Sequence, residues 1–136
     1  MPPQSERRID AEEWLRYARA NVDHAEVGRA AGVLIAYLCF DAQQAAEKAL
    51  KAGLIARSVV FPRTHDLAEL LDLARNAGLE VSDAVGRSAT LTSFAVRGRY
   101  PGWGASLEED DLVKALSAAQ AVIDWAAKMI EAMPPE

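Results

Sequence analysis

Cysteine is nearly absent: Cys39 is the only one in 136 residues, which excludes an intramolecular disulfide and any zinc site built from several thiolates. Histidine is almost as scarce, with only His24 and His65. A ferritin-like di-iron bundle needs Glu three residues ahead of an inward-facing His, and those positions hold Asn21 and Pro62. With no matched carboxylate spacing around either histidine, neither a transition-metal site nor a resident cofactor is expected. No Gly-Lys-Ser or Gly-Lys-Thr occurs, which removes a Walker-type phosphate loop, and Gly102-Trp103-Gly104 follows no strand and makes no dinucleotide turn. Long apolar runs are missing too. The longest, Val33 to Phe40, falls far short of the roughly 18 residues of a membrane span, and the opening MPPQSERRIDAEEW has no apolar signal core. Bulk positive charge is lacking, since the net charge is -5, so nucleic acid is not gripped over the whole surface, although a local basic patch remains open. A soluble, cytoplasmic protein without membrane contact is expected.

What the chain does have is helical patterning, with 51% hydrophobic and 26% charged residues in a length that fits one domain. Asp10 followed by Glu13 reads as a capping box, and Trp14, Ala18, Val22 and Ala25 continue it as a helix from Ala11 to Val27. Residues 1–9 are then a disordered N-terminal tail. After Gly28 or Gly32, the proline-free segment from Val33 to Arg57 carries a stripe of Leu34, Leu38, Ala42, Ala45 and Ala49 and gives the longest helix, about 35 Å. Ser58 to Pro62 resembles a strand, but five residues without a partner make no sheet. Leu67, Leu70, Leu71 and Ala74 mark a third helix that Gly78 stops. Ser82 caps a fourth helix reaching Val96, with Val85, Ala89, Thr92 and Val96 inward, and Gly98 to Gly104 forms a loop. Ser106 and Glu109 form a second capping box, and Leu112, Leu116, Ala119, Ile123, Ala126 and Ile130 line the fifth helix. The expected fold is all-α, an antiparallel up-and-down bundle of four to five helices over residues 10–131, followed by a C-terminal tail at 132–136.

Three short series stand out in order. Cys39-Phe40-Asp41-Ala42-Gln43-Gln44-Ala45-Ala46-Glu47-Lys48-Ala49-Leu50-Lys51 lies on the long helix, Phe61-Pro62-Arg63-Thr64-His65-Asp66-Leu67 leads into the third, and Arg99-Tyr100-Pro101 follows the fourth. Framed by Trp14-Leu15 and by the closing helix from Asp110 to Trp125, this combination resembles the HEPN domain family over residues 10–131. The resemblance implies a helical bundle that dimerises and works beside a minimal nucleotidyltransferase, as in toxin–antitoxin pairs. It also implies a nucleotide- or RNA-binding regulatory module, with a metal-independent ribonuclease as the alternative. Ribonucleases of the family carry an Arg and a nearby His at a dimer cleft. Here Arg97 to Trp103 contains no histidine. Arg19 and His24 fit the spacing, but they sit in the first helix, where the family does not place its active site, and residues five apart share a helical face poorly.

The candidate ligand-binding residues are Lys48, Lys51, His65, Arg97, Arg99 and Tyr100. Lys48 and Lys51 lie on one side of the long helix with Gln44 a turn above Lys48, a ladder suited to phosphate; the competing reading is a solvated face with Glu47 paired to Lys51. His65 is one of only two side chains that titrate near neutrality without a perturbed environment, or else Thr64 or His65 caps the third helix while Asp66 favours its dipole. Arg97, Arg99 and Tyr100 bring two cations and a ring to one loop, parts that clamp phosphate and stack a base; alternatively, the cations answer a helix C-terminus and Tyr100 plugs the bundle. Trp14 and Trp125 are expected in the core or a dimer interface, and Cys39 as plain packing.

Overall fold

The computed structural model describes residues 3–94, 101 and 107–135. Its helices are α1 (Gln4–Ala30), α2 (Ile35–Ala56), α3 (Leu67–Asn76), a single turn α4 (Asp83–Gly86) that runs into a 3-10 helix (Arg87–Ser93), and α5 (Glu109–Glu131). Among the described residues there is no strand, and no helix is long and apolar enough to cross a membrane. The chain is an all-α bundle.

α2 is the centre of the bundle: Leu38, Ala42, Ala45, Ala49, Leu50 and Leu54 are all buried, and so are its polar Asp41, Gln43, Glu47 and Lys51. α1 and α5 flank α2 and touch each other, and the 3-10 helix packs against α2, α3 and α5. The four residues between α1 and α2 make them antiparallel neighbours. α1 buries Ala11, Ala18 and Ala25 at heptad intervals with Leu15 between them. α5 buries all six expected positions, from Leu112 to Ile130. Its Trp125 lies against the backbone of Gly53, where a Cβ would overlap the indole, and its Nε1 donates to Glu80 O at 2.9 Å. Glycine at 53 therefore sets how closely α5 approaches α2. Cys39 is buried in the core, and Gly78 ends α3 in the left-handed region at φ 82°.

The structure departs from the sequence expectations at three helix ends. Residues 4–9 are not a tail: α1 begins at Gln4, so Asp10 lies inside the helix and caps nothing. The reason is tertiary. Arg7 Nη1 donates to Ala56 O at 2.9 Å, and Arg8 donates to Ile130 O at 3.2 Å and to Met133 O at 2.8 Å. Gln4 bonds Pro134 O. The first turns of α1 thus satisfy the free carbonyls at the C-termini of α2 and α5. The same contacts, with Met133 buried, hold the C-terminal tail that follows Glu131 against α1. The fourth helix is also shorter and tighter than expected. Ser82 caps it as anticipated, accepting from Val85 N at 3.2 Å, but Ser88 and Thr90 donate back to Val85 O and Arg87 O at 2.7 and 2.8 Å. Hydroxyls bonding three residues back favour the 3-10 path over the α-helix. At α5 the capping box is formed by Glu108 and Asp111; Ser106, like Val96, lies outside the described residues.

Candidate functional site

On α1, Trp14, Tyr17, Asn21 and His24 follow one another at intervals of three, four and three, and on α2 Asp41, Gln44, Lys48 and Lys51 repeat the same intervals. Each set therefore lines one helical face. Because the helices are antiparallel, the two faces meet in reverse order, and an aromatic and polar seam runs between them. Lys51 Nζ lies 5.6 Å from the Trp14 ring centroid, and Lys48 Nζ lies 6.0 Å from that of Tyr17. Lys48 donates to Asn21 Oδ1 at 2.7 Å, Asn21 Nδ2 donates to Asp41 Oδ1 at 3.1 Å, and His24 Nδ1 stands 2.7 Å from Asp41 Oδ2. An ionised carboxylate only accepts, so Nδ1 carries the proton there, and among the described residues nothing bonds the Nε2 of this exposed side chain.

A second limb centres on Glu47, one residue before Lys48. Its carboxylate is buried and accepts from Gln43 Nε2 at 3.2 Å, from Lys51 Nζ at 3.1 Å and from His65 Nδ1, which is 3.1 Å from both oxygens. Gln44 Nε2 donates to Gln43 Oε1 at 2.8 Å, extending the chain of bonds. Lys51 also sits 5.8 Å from the Phe61 ring. The segment between α2 and α3 is thus held to α2 through Phe61 and His65. Neither Thr64 nor His65 caps α3, which removes one of the two readings of this turn: Asp66 is the N-cap and accepts from Ala68 N at 3.0 Å, and Thr92 Oγ1 accepts from Leu67 N at 3.1 Å. Thr64 instead braces the turn, accepting from Asp66 N at 3.1 Å and donating to Glu69 at 2.8 Å.

The two lysines play different parts. Lys51 pairs with Glu47 as the spacing suggests, but the pair is not on a solvated face; both side chains are almost fully buried, at 8% and 5% exposure. A neutralised, buried Lys51 has little left to offer a phosphate. Lys48 is half-buried, and its ammonium is held by a neutral amide oxygen and an aromatic ring. Burial lowers its pKa from the ordinary value of 10.5, and the nearby charges of Glu47 and Asp41 partly oppose that shift. Among the described residues no carboxylate lies within ion-pair distance of it. Among the described residues Asn21 is its one hydrogen-bond partner, so two of its three N–H donors are unused there.

Of the sequence-derived candidates, Lys51 and His65 meet on Glu47, while Lys48, the next residue along α2, belongs to the separate limb of Asn21, Asp41 and His24. Arg97, Arg99 and Tyr100 lie outside the described residues. Asn21, Asp41 and Tyr17 had not been singled out as site residues, and His24 had been weighed only as a partner of Arg19 and set aside. The signal for them is the matched spacing of two helices, which neither helix shows alone.

No curated protein and no solved structure matches the chain. The family model of the HEPN domain matches residues 11–130, from the first buried alanine of α1 to the last turn of α5. With nearly the whole chain covered and the two ordered series on α2 and ahead of α3 placed in one bonded site, the protein belongs to the HEPN domain family.

Proposed function

We propose that the protein is a nucleotide- or RNA-binding regulatory module that acts with a nucleotidyltransferase partner in a toxin–antitoxin-like pair, as a homodimer. The observation that carries the binding reading is Lys48, a half-buried cation with open donors, no carboxylate partner among the described residues, and the exposed ring of Tyr17 beside it. A cation kept partly out of water without a counter-ion favours an incoming anion, and aromatic surface next to it favours a base. By sequence alone, Arg97, Arg99 and Tyr100 belong to the same proposal as further phosphate and base contacts. The test is fluorescence anisotropy with labelled mononucleotides and short RNA, at stated salt, with and without the co-expressed partner. Binding by the folded protein, weakened about tenfold in Lys48→Ala, is expected for a lost charge-assisted contact. Absence of binding under every condition refutes the reading.

Metal-independent RNA cleavage is the second reading, and the His24–Asp41 pair favours it. A carboxylate that fixes one imidazole nitrogen leaves the other poised to carry a proton. Incubating RNA with the protein in EDTA tests it: cleavage lost in His24→Ala supports this reading, and intact RNA refutes it.

A further inference from the structure

The charges along the α1–α2 seam limit what it can hold. Lys48 supplies one ammonium that no described carboxylate meets within ion-pair distance. The other described cations that meet the seam's rings are already engaged: Lys51, over Trp14, is paired with Glu47, and Arg16, which lies over the Tyr17 ring, is paired with Glu13. Two carboxylates stand close enough to act on the Lys48 charge, Asp41 and Glu47. A first phosphate group can take the open Lys48 donors, with the neighbouring His24 imidazole able to add a bond through Nε2. Each further phosphate brings more negative charge toward Asp41 and Glu47, and among the described residues of the seam no second cation stands outside an ion pair. The net charge of -5 adds to that repulsion.

Resting on the nucleotide-binding reading above, we infer that the seam takes a single phosphate monoester carried by a nucleoside and discriminates against polyphosphates. The exposed Tyr17 ring supplies aromatic surface for the base, and Asn21 holds Lys48 in place through its side-chain oxygen. A free mononucleotide and the 5′-phosphorylated end of an RNA present the same chemistry. Asp41 has a double role: it orients His24 and Asn21 through hydrogen bonds, and it supplies the charge that excludes the second phosphate.

The experiment is a competition titration against labelled AMP, using AMP, ADP, ATP, adenosine, and a short RNA bearing either a 5′-phosphate or a 5′-hydroxyl. AMP is expected to outcompete ADP, and ADP to outcompete ATP, while adenosine is about tenfold weaker than AMP because it lacks the charge-assisted contact. The 5′-phosphorylated RNA should outcompete its 5′-hydroxyl counterpart if RNA ends are the source, and AMP alone should show the phosphate preference if free nucleotides are. Lys48→Gln retains a side chain able to bond Asn21 and should erase the AMP preference over adenosine. Asp41→Asn should narrow the gap between AMP and ATP, a change that a purely structural role would not produce. Lys114→Gln, an exposed partner of Asp110 on α5, serves as the charge control and should behave like the parent protein. ATP binding as tightly as AMP, or an AMP preference that survives Lys48→Gln, overturns the inference while leaving nucleotide binding intact. Failure of the parent protein to bind any of the probes overturns both.

Discussion

Replacing Glu47 by Gln changes one atom type in a buried site and isolates the worth of a charge. In the native protein, the Glu47 and Lys51 side chains are 5% and 8% exposed, and the ammonium lies 3.1 Å from the carboxylate. Glu47→Gln preserves shape but leaves the Lys51 charge with only the rings of Trp14 and Phe61 and a neutral amide oxygen. Breaking one side of a buried ion pair costs about 3–5 kcal/mol, and the surviving neutral bond places this variant near 3. For a domain of this length, a loss of that size lowers Tm by roughly 10 °C. Lys51→Met is expected to cost less, about 1–3 kcal/mol, because Glu47 keeps Gln43 and His65 as donors. The double variant, which removes both charges, should return to within about 1 kcal/mol of the parent. Urea unfolding followed by far-ultraviolet circular dichroism, at one fixed protein concentration, measures all three. A Glu47→Gln cost under about 1 kcal/mol, or a double variant as unstable as the sum of the singles, would refute the idea that the pair is desolvated and coupled.

Lys48 gives a pH signature. Its pKa is lowered in the folded state from 10.5, so below that value the unfolded chain holds more protons; stability should rise with pH through the interval just under 10.5, and Lys48→Met should flatten that rise in pH-dependent denaturation. Gly53→Ala places a Cβ into the Trp125 ring and should destabilise by about 1–3 kcal/mol or more, read as a fall in Tm. Deleting residues 1–9 removes the side chains that bond Ala56 O, Ile130 O and Met133 O; at about 0.5–1.5 kcal/mol per bond, the truncated protein should lose about 2–4 kcal/mol, with faster amide exchange at the C-termini of α2 and α5.

The parts of the fold that could be read from the sequence are those whose cause is local. α5 has one apolar face and a polar opposite face, so its six stripe positions predicted burial correctly. Gly78 stops α3 through a backbone conformation written into the residue itself. The start of α1 was not legible, because the groups that order it are carbonyls far along the chain, at Ala56, Ile130 and Met133. The same distinction holds for the site. Lys48 and Lys51 could be placed on one side of α2, but their different fates depend on what faces them: Asn21 and Tyr17 for one, Glu47, Trp14 and Phe61 for the other. The hydroxyls of Ser88 and Thr90 show an intermediate case, since their tendency to bend a helix is local but their effect on its path was not anticipated.

The alanines that α1 buries bear on how the chain chooses one packing among many. Ala11, Ala18 and Ala25 recur every seven residues, so sliding α1 along α2 by two turns, about 10.5 Å, would replace one alanine with the next and leave that smooth face almost unchanged. Small uniform residues provide close approach but few landmarks. The seam supplies them: after such a slide His24 and Asn21 would leave Asp41, Asn21 would leave Lys48, and Trp14 would leave Lys51, stranding the buried Asp41 carboxylate at a cost of several kcal/mol. The polar residues act as the teeth of a key against shifted alignments. A variant with an apolar seam would keep its helices and gain freedom in how they align, so the site's chemistry and the uniqueness of the fold are bound to the same few side chains.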